Sequence, residues 1–505
     1  MIKFSRSSGI LAHITSIPSK FGIGDLGPEC YDFVNLLADL NQHFWSILPL
    51  HPTSIVYGNS PYQTDSAFAG NTLLISPELL AEDNLISKNI FSNFSWDDRR
   101  VDYEKVTEFK RSMIEEAFEK FSKSKGRKLN SSLDYYAFCE KNSYWLDDYA
   151  LYKSLKEKIK KPWHKWPYEI RNREPQRLKK ERERFEERIE LEKFSQYVFL
   201  SQWISLKKHC KKKNIKIIGD LAFYVGYDSA DVWSNSKFFQ LDEKNKPKFI
   251  GGVPPDYFSD TGQRWDNPVY DWKMLKKKEY RWWINRIGND LRLLDAMRLD
   301  HFRGFVAYWR IPWKSKTAKS GKWIRAPTKS FFEKVEKKFP EMPFIAEDLG
   351  YITEPVRRTK EKLRIPGMRV LVFAFDGKKD NPHIPRNYNK IAVVYTGTHD
   401  TNTVKGWFLN ETDPKKKKRI EQYIGKSVDS ENISRELIKI AISSKANLCI
   451  IPIQDVLCLG SEHRMNNPSV GKNNWTWRVR KDELDAQALG WMKQITSKFN
   501  RNSNL

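Results

Sequence analysis

Eight short apolar, β-rich runs recur along this chain, each ending in polar residues. They are "GILAHITSIPS" (9–19), "HFWSILPL" (43–50), "IKIIGDLAFYV" (215–225), "DAMRLDHFRG" (295–304), "PFIAEDLG" (343–350), "MRVLVFAF" (368–375), "IAVVYTGTHD" (391–400) and "NLCIIPIQDVL" (447–457). Helix-like segments such as "SFFEKVEKKF" (330–339) and "TEPVRRTKEKL" (353–363) separate most of them. Strands buried on both faces read as continuous apolar runs, and alternation with helices makes them parallel. Eight such units predict a (β/α)8 barrel, whose site gathers at the carboxyl ends of the strands. A doubly wound sheet is the competing architecture, but no GxGxxG follows an early strand.

The spacing between runs is uneven. About 165 residues separate the second and third, far beyond an ordinary connection. The segments 134–159 and 174–210 read as helices, with Leu191, Phe194, Val198 and Leu206 close to one face. The proline-rich stretch between them reads as a loop. The expectation is one catalytic barrel over 1–505, with a mainly helical insertion at 52–212. A second insertion, 226–294, carries "GGVPPDYFSDTGQRWDNPVYDW" (251–272), which its Gly, Pro and aromatic content makes a structured loop.

Composition narrows the setting. The five cysteines are scattered with no CxxC pair, which speaks against a disulfide framework or zinc site and for a reducing, cytoplasmic compartment. No apolar run reaches the roughly 18 residues of a membrane span. The net charge of +25 lies in short runs beside acidic residues on helix-like segments, with no nucleic-acid-binding signature. It reads as solvated surface, and neither nucleic acid nor membrane is expected as a partner. Without HxxxH or clustered ligand spacing, no metal and no other cofactor is expected.

Polar residues at the predicted strand ends are the candidates for chemistry: Asp220, Asp300, Glu347, His399, Asp400, Gln454 and Asp455. "RLDHFRG" adds Arg298, His301 and Arg303. Taken singly, each has an ordinary structural reading as a loop ion pair or a core hydrogen bond.

The order of the motifs is more specific than any one of them. "GNSPYQTDSAFAGN" (58–71), "GDLAFYVGYDSADVW" (219–233), the 251–272 stretch, "RLDHFRGF" (298–305), "IAEDLG" (345–350), "IPGM" (365–368), "TGTHD" (396–400) and "IPIQDVLCLGSEHRMNNP" (451–468) run in sequence over nearly the whole chain. In this the chain resembles the amylomaltases, the 4-α-glucanotransferase or disproportionating-enzyme family related to the α-amylases. The resemblance implies transfer of α-1,4-glucan segments to the 4-hydroxyl of glucose or malto-oligosaccharides, with those sugars as partners and a monomer or weak homo-oligomer. It assigns Asp300 as nucleophile, Glu347 as general acid/base and Asp400 as the third carboxylate. It also assigns Arg298, His301, His399 and Asp220 to the surrounding shell, and Tyr62, Tyr257, Phe258, Trp265 and Phe373 as sugar platforms or gates.

The chemistry agrees with that assignment. Retaining cleavage of a glycosidic bond needs a carboxylate nucleophile and a carboxylic acid roughly 5–5.5 Å apart. Arg298, two residues before Asp300 on a strand, shares its face and should favour the ionised aspartate, lowering its pKa. Glu347 needs the opposite, a retained proton. Asp348, next to it, should face away and serve structure. The chain departs from the family pattern at Asp266, commonly glycine, at Thr401 and Asn402, commonly an Asn–Asp pair, and in "IGDLAFYV", where proline is usual. A glucan hydrolase and a non-catalytic glucan-binding protein are the alternative functions.

Overall fold

In the computed structural model, residues 4–93, 95–123, 129, 133–255 and 259–502 are described. Eight strands close into one parallel barrel: Ser7–Leu11, Phe44–Ser46, Lys216–Leu221, Ala296–Leu299, Phe344–Ala346, Gly367–Val370, Ala392–Tyr395 and Leu448–Pro452. They follow chain order around the barrel, and the last pairs with the first from Ser7↔Leu448 to Leu11↔Pro452. Each lies within or overlaps one of the eight apolar runs. The strands are shorter than the runs, because their polar tails leave the sheet and form the mouth.

The register sets what meets at that mouth. Asp220 pairs with Arg298 across the third and fourth strands, so the two side chains emerge on one face. Leu299 pairs with Ala346 across the fourth and fifth, placing Asp300 and Glu347 one residue beyond adjoining strand ends. Tight spacing at the first strand demands glycine: a Cβ on Gly9 would lie 2.3 Å from the Phe44 carbonyl oxygen.

Between the second and third strands run the helices Tyr103–Lys123, Tyr135–Ile159, Pro175–Arg184 and Glu186–Lys212. The stretch read as a loop between the two long helices carries only short turns, Trp163–Lys165 and Tyr168–Arg171. Leu191, Phe194, Val198 and Leu206 are all buried. Two glutamines of the last helix act as backbone mimics. Gln196 accepts from Gly70 N (2.7 Å) and donates to Gly70 O (3.0 Å), and Gln202 does the same with Ser76 at 2.7 and 3.2 Å. Trp203 donates to Leu293 O at 3.0 Å, tying this helix to the chain entering the fourth strand. Buried amide groups are satisfied where no regular ladder reaches them.

The 251–272 stretch is more ordered than a loop. Phe249–Val253 and Gln263–Pro268 are antiparallel strands, extended by Ala307–Pro312 and Lys322–Arg325 into a four-stranded sheet. The glycines that argue against a strand are here a packing requirement: a Cβ on Gly252 would sit 2.1 Å from Gln263 O. Asp266, on the second of these strands, has φ +59°, the left-handed region in which glycine is unstrained. Its side chain pairs with Arg264 Nε at 3.0 Å.

Candidate active site

The centre of the barrel mouth is a hydrogen-bonded chain of side chains from distant parts of the sequence. Arg298 donates through Nε to Asp220 Oδ2 (2.8 Å) and through Nη2 to Asp300 Oδ1 (2.9 Å) and the Tyr62 hydroxyl (3.2 Å). Tyr62 in turn donates to Asp220 Oδ2 at 2.7 Å. His399 Nε2 lies 2.9 Å from the same hydroxyl and 3.2 Å from Asp400 Oδ2. With Tyr62 donating to Asp220, Nε2 faces only acceptors, so that nitrogen carries the imidazole proton. The rings of Tyr62 and His399 stack with centroids 5.3 Å apart. Trp475, absent from the sequence reading, borders both.

Among the described residues, Glu347 is held by main chain alone. Its Oε2 accepts from His301 N (2.9 Å) and its Oε1 from Leu349 N (2.7 Å). His301 adopts φ +46°, in the left-handed region, where the chain leaves the fourth strand. Its imidazole, packed edge-on against Trp265 at 4.9 Å, is pushed down to about 3 by burial and by Arg303, and is therefore neutral. Asp348, two residues past the strand Phe344–Ala346, faces away from the mouth, held there by its own partners. It accepts from Met368 N at 2.7 Å and pairs with Lys360 and Arg369.

The electrostatics separate the two carboxyls. Burial first, then the charge of Asp300, pushes Glu347 up to about 8. Asp300 is pushed up as well, to about 6, because burial and the charges of Asp220 and Asp400 outweigh Arg298. The net shift is thus opposite to the lowering expected from Arg298 alone. The guanidinium is a real opposing pull, but sequence spacing registers a neighbouring charge and misses desolvation. At neutral pH Asp300 is mainly ionised and Glu347 mainly protonated. Asp400 lies below the ordinary range: enclosure by the cleft walls works against its charge, and His399 and Asn466 prevail. Asn466 donates to Asp400 Oδ1 at 2.7 Å, and Arg464 donates to the Asp400 carbonyl at 3.2 Å.

Not every candidate joins this network. Tyr257 and Phe258 lie outside the described residues. Phe373 falls beyond its strand, in the short turn Leu371–Phe373, and is exposed beside His383 rather than buried in a strand. Asp455 is a structural brace, accepting from Thr396 Oγ1 (2.5 Å) and Val404 N (2.7 Å). Thr401 closes a turn on Thr398, and Asn402 reaches Glu411 and Ser461. Gln63, unremarked in sequence, ties the site's rim together by donating to Trp265 O (3.3 Å) and Asn267 Oδ1 (3.1 Å). Among the described residues, no group of three or more His, Cys, Asp or Glu side chains is placed to hold a metal ion.

A closed parallel barrel with an ionised aspartate and a neutral glutamate at adjoining strand ends defines an α/β-barrel enzyme of glycosidic-bond chemistry. The chain belongs to the 4-alpha-glucanotransferase family, whose sequence profile matches residues 12–484, and it is an enzyme of that activity. It is 45% identical over 477 residues to the 4-alpha-glucanotransferase of Aquifex aeolicus, covering 94% of this chain and 96% of that one. To the Thermus thermophilus 4-alpha-glucanotransferase it is 40% identical, covering 96% and 97%. Its fold superposes on an amylomaltase from Streptococcus agalactiae in complex with acarbose with a TM-score of 0.94, at 37% identity, covering 99% of this chain and 100% of that one.

Proposed function

We propose that the chain transfers α-1,4-glucan segments by retaining double displacement, with Asp300 as nucleophile and Glu347 as acid/base. The Asp300 carboxylate attacks the anomeric carbon of the donor as the C1–O4 bond breaks. Glu347 gives its proton to the departing O4, and the leaving segment carries that proton away. The 4-hydroxyl of an incoming glucose or malto-oligosaccharide then attacks C1, Glu347 takes its proton, and Asp300 is released. Asp400 and His399 hold hydroxyls of the reacting sugar, with Asp220, Arg298 and His301 around them. Tyr62 and Trp265 supply faces for sugar rings.

The observation that carries this reading is the placement of two carboxyls just beyond adjoining strand ends, with Arg298 bonded to Asp300 and peptide N–H groups to Glu347; burial pushes both up, Glu347 further, to about 8 against about 6. Two carboxyls with pKa values pushed apart take different roles. In this reading one catalytic barrel carries the 52–212 helices as an insertion. The enzyme works in the cytoplasm on glycogen-like or starch-like glucans and maltose, as a monomer or weak homo-oligomer, without nucleic-acid or membrane partners. Five free cysteines and a dispersed basic surface support that setting.

Incubation with maltotriose tests the reaction. Glucose should appear together with maltopentaose and longer chains while total reducing ends stay nearly constant. A steady rise in reducing ends without longer products would make the enzyme a hydrolase.

A further inference from the structure

Away from the barrel mouth, a cavity of about 500 Å³ opens between the helix Tyr135–Ile159, the segment after the third barrel strand, and the turn leading into the helix Arg281–Leu293. That volume is within the range of small-molecule sites, roughly 300–1,000 Å³. Its deep wall is aromatic. Phe68, Trp145 and Trp282 are buried, and Tyr144 is half-exposed at the edge. Phe68 lies parallel to Trp145 with centroids 6.4 Å apart, and meets Trp282 and Tyr144 edge-on at 6.0 and 5.9 Å. These contacts fix the rings before any ligand arrives.

The rim has the opposite character. Lys237, Lys277, Lys278 and Arg281 line it and are exposed, and no carboxylate lies within ion-pair distance of any of them among the described residues. The two acids nearby are already engaged. Glu279 pairs with Lys334 at 2.6 Å, and buried Asp231 accepts from Ala67 N at 2.7 Å. Left-handed backbone at Glu279 and Tyr280 makes the tight turn that brings Lys277 and Lys278 beside Arg281.

We propose that this cavity binds a phosphorylated hexose. An aromatic wall suits the apolar face of a sugar ring. Asn285 and the side-chain carbonyl of Asn235 line it as hydrogen-bonding partners for sugar hydroxyls, while Ser66 and Ser234 are engaged within the protein. Four cations gathered on one rim present a charge that an anion would match and a neutral glucan would not, and charge-assisted bonds to phosphate are the strong ones. An anion without a ring would in turn leave the aromatic wall unused.

Titration calorimetry on the full chain tests this with glucose 1-phosphate, glucose 6-phosphate, glucose and inorganic phosphate as separate probes. At least one phosphosugar should bind at millimolar concentration or below, more tightly than inorganic phosphate or glucose. Lys277→Ala with Arg281→Ala should weaken it at least about tenfold, the effect of losing one charged hydrogen bond. Filling the cavity by Ser234→Trp should abolish it, and both variants should keep wild-type transfer from maltotriose. Absence of phosphosugar binding, equal binding of inorganic phosphate, or binding that survives both variants would overturn the proposal. Survival in both would place the phosphosugar elsewhere, including the acceptor site of the barrel.

Discussion

Replacing Arg298 by glutamine removes the one cation bonded to both Asp220 and Asp300. Asp300 already stands near 6 with Arg298 in place. An adjacent guanidinium holds a carboxyl down by roughly 1–3 units, so its loss should carry Asp300 toward about 8. At pH 7 the ionised fraction then falls from roughly nine-tenths to roughly one-tenth, a tenfold loss before any loss of orientation. Arg298 also restrains Glu347, which should rise as well. The sign is the same for both groups. The acid limb, where the nucleophile loses its proton, and the basic limb, where the acid does, should both move to higher pH. These limbs report apparent values of the interacting pair. The assay is kcat/KM for glucose release from maltotriose across pH, with limbs near 6 and 8 in the native enzyme. Arg298→Lys keeps the charge without the fork, so its limbs should stay near native while the rate falls. If the acid limb of Arg298→Gln remains near 6, desolvation opposed by Arg298 is the wrong account of Asp300.

Asp300→Asn should fold and bind sugar yet lose nearly all transfer, because an amide cannot form the covalent intermediate; substantial activity in a contaminant-free preparation would remove Asp300 from that role. Lys110 and Asp25 form a buried pair at 3.1 Å, with Lys110 also donating to Ile75 O. Lys110→Met should therefore cost about 3–5 kcal/mol in urea unfolding, much of it recovered on adding Asp25→Asn, and equal losses in the single and double variants would refute the pairing argument. At Asp266, valine should lower stability by about 1–2 kcal/mol while glycine should not, because only valine is strained at φ +59°. Coincident unfolding midpoints for the two would show that this backbone angle carries no strain.

The barrel was legible because strands such as Leu448–Pro452 and Ala392–Tyr395 are wholly buried, which forces unbroken apolar runs into the sequence. The sheet around Trp265 was not. Its strands Gln263–Pro268 and Lys322–Arg325 are polar and partly exposed, and its glycines imitate a loop. Of the mouth residues, Arg298 and Asp300 announce themselves by charge and spacing. Asn466 does not, since it bonds Asp400 across 66 residues and has no charge to mark it. The poise of Asp300 was equally hidden, because burial is a property of the assembled cleft. Phe373 shows the converse: an apolar run of sequence continued past the point where the strand ends.

Both oxygens of Glu347 rest on peptide N–H groups, those of His301 and Leu349. A group aimed by side chains can be re-aimed by exchanging them. One aimed by the main chain cannot, because every amino acid except proline supplies the same donor. Side-chain variation at positions 301 and 349 can therefore alter packing and sugar contacts while the donors that orient Glu347 persist. The mouth has, in effect, one part that sequence drift can tune and one part that it can barely reach. Nitroxide or isotope probes of local backbone geometry at 301, where φ is +46°, would track the aim of Glu347 more closely than any scan of neighbouring side chains.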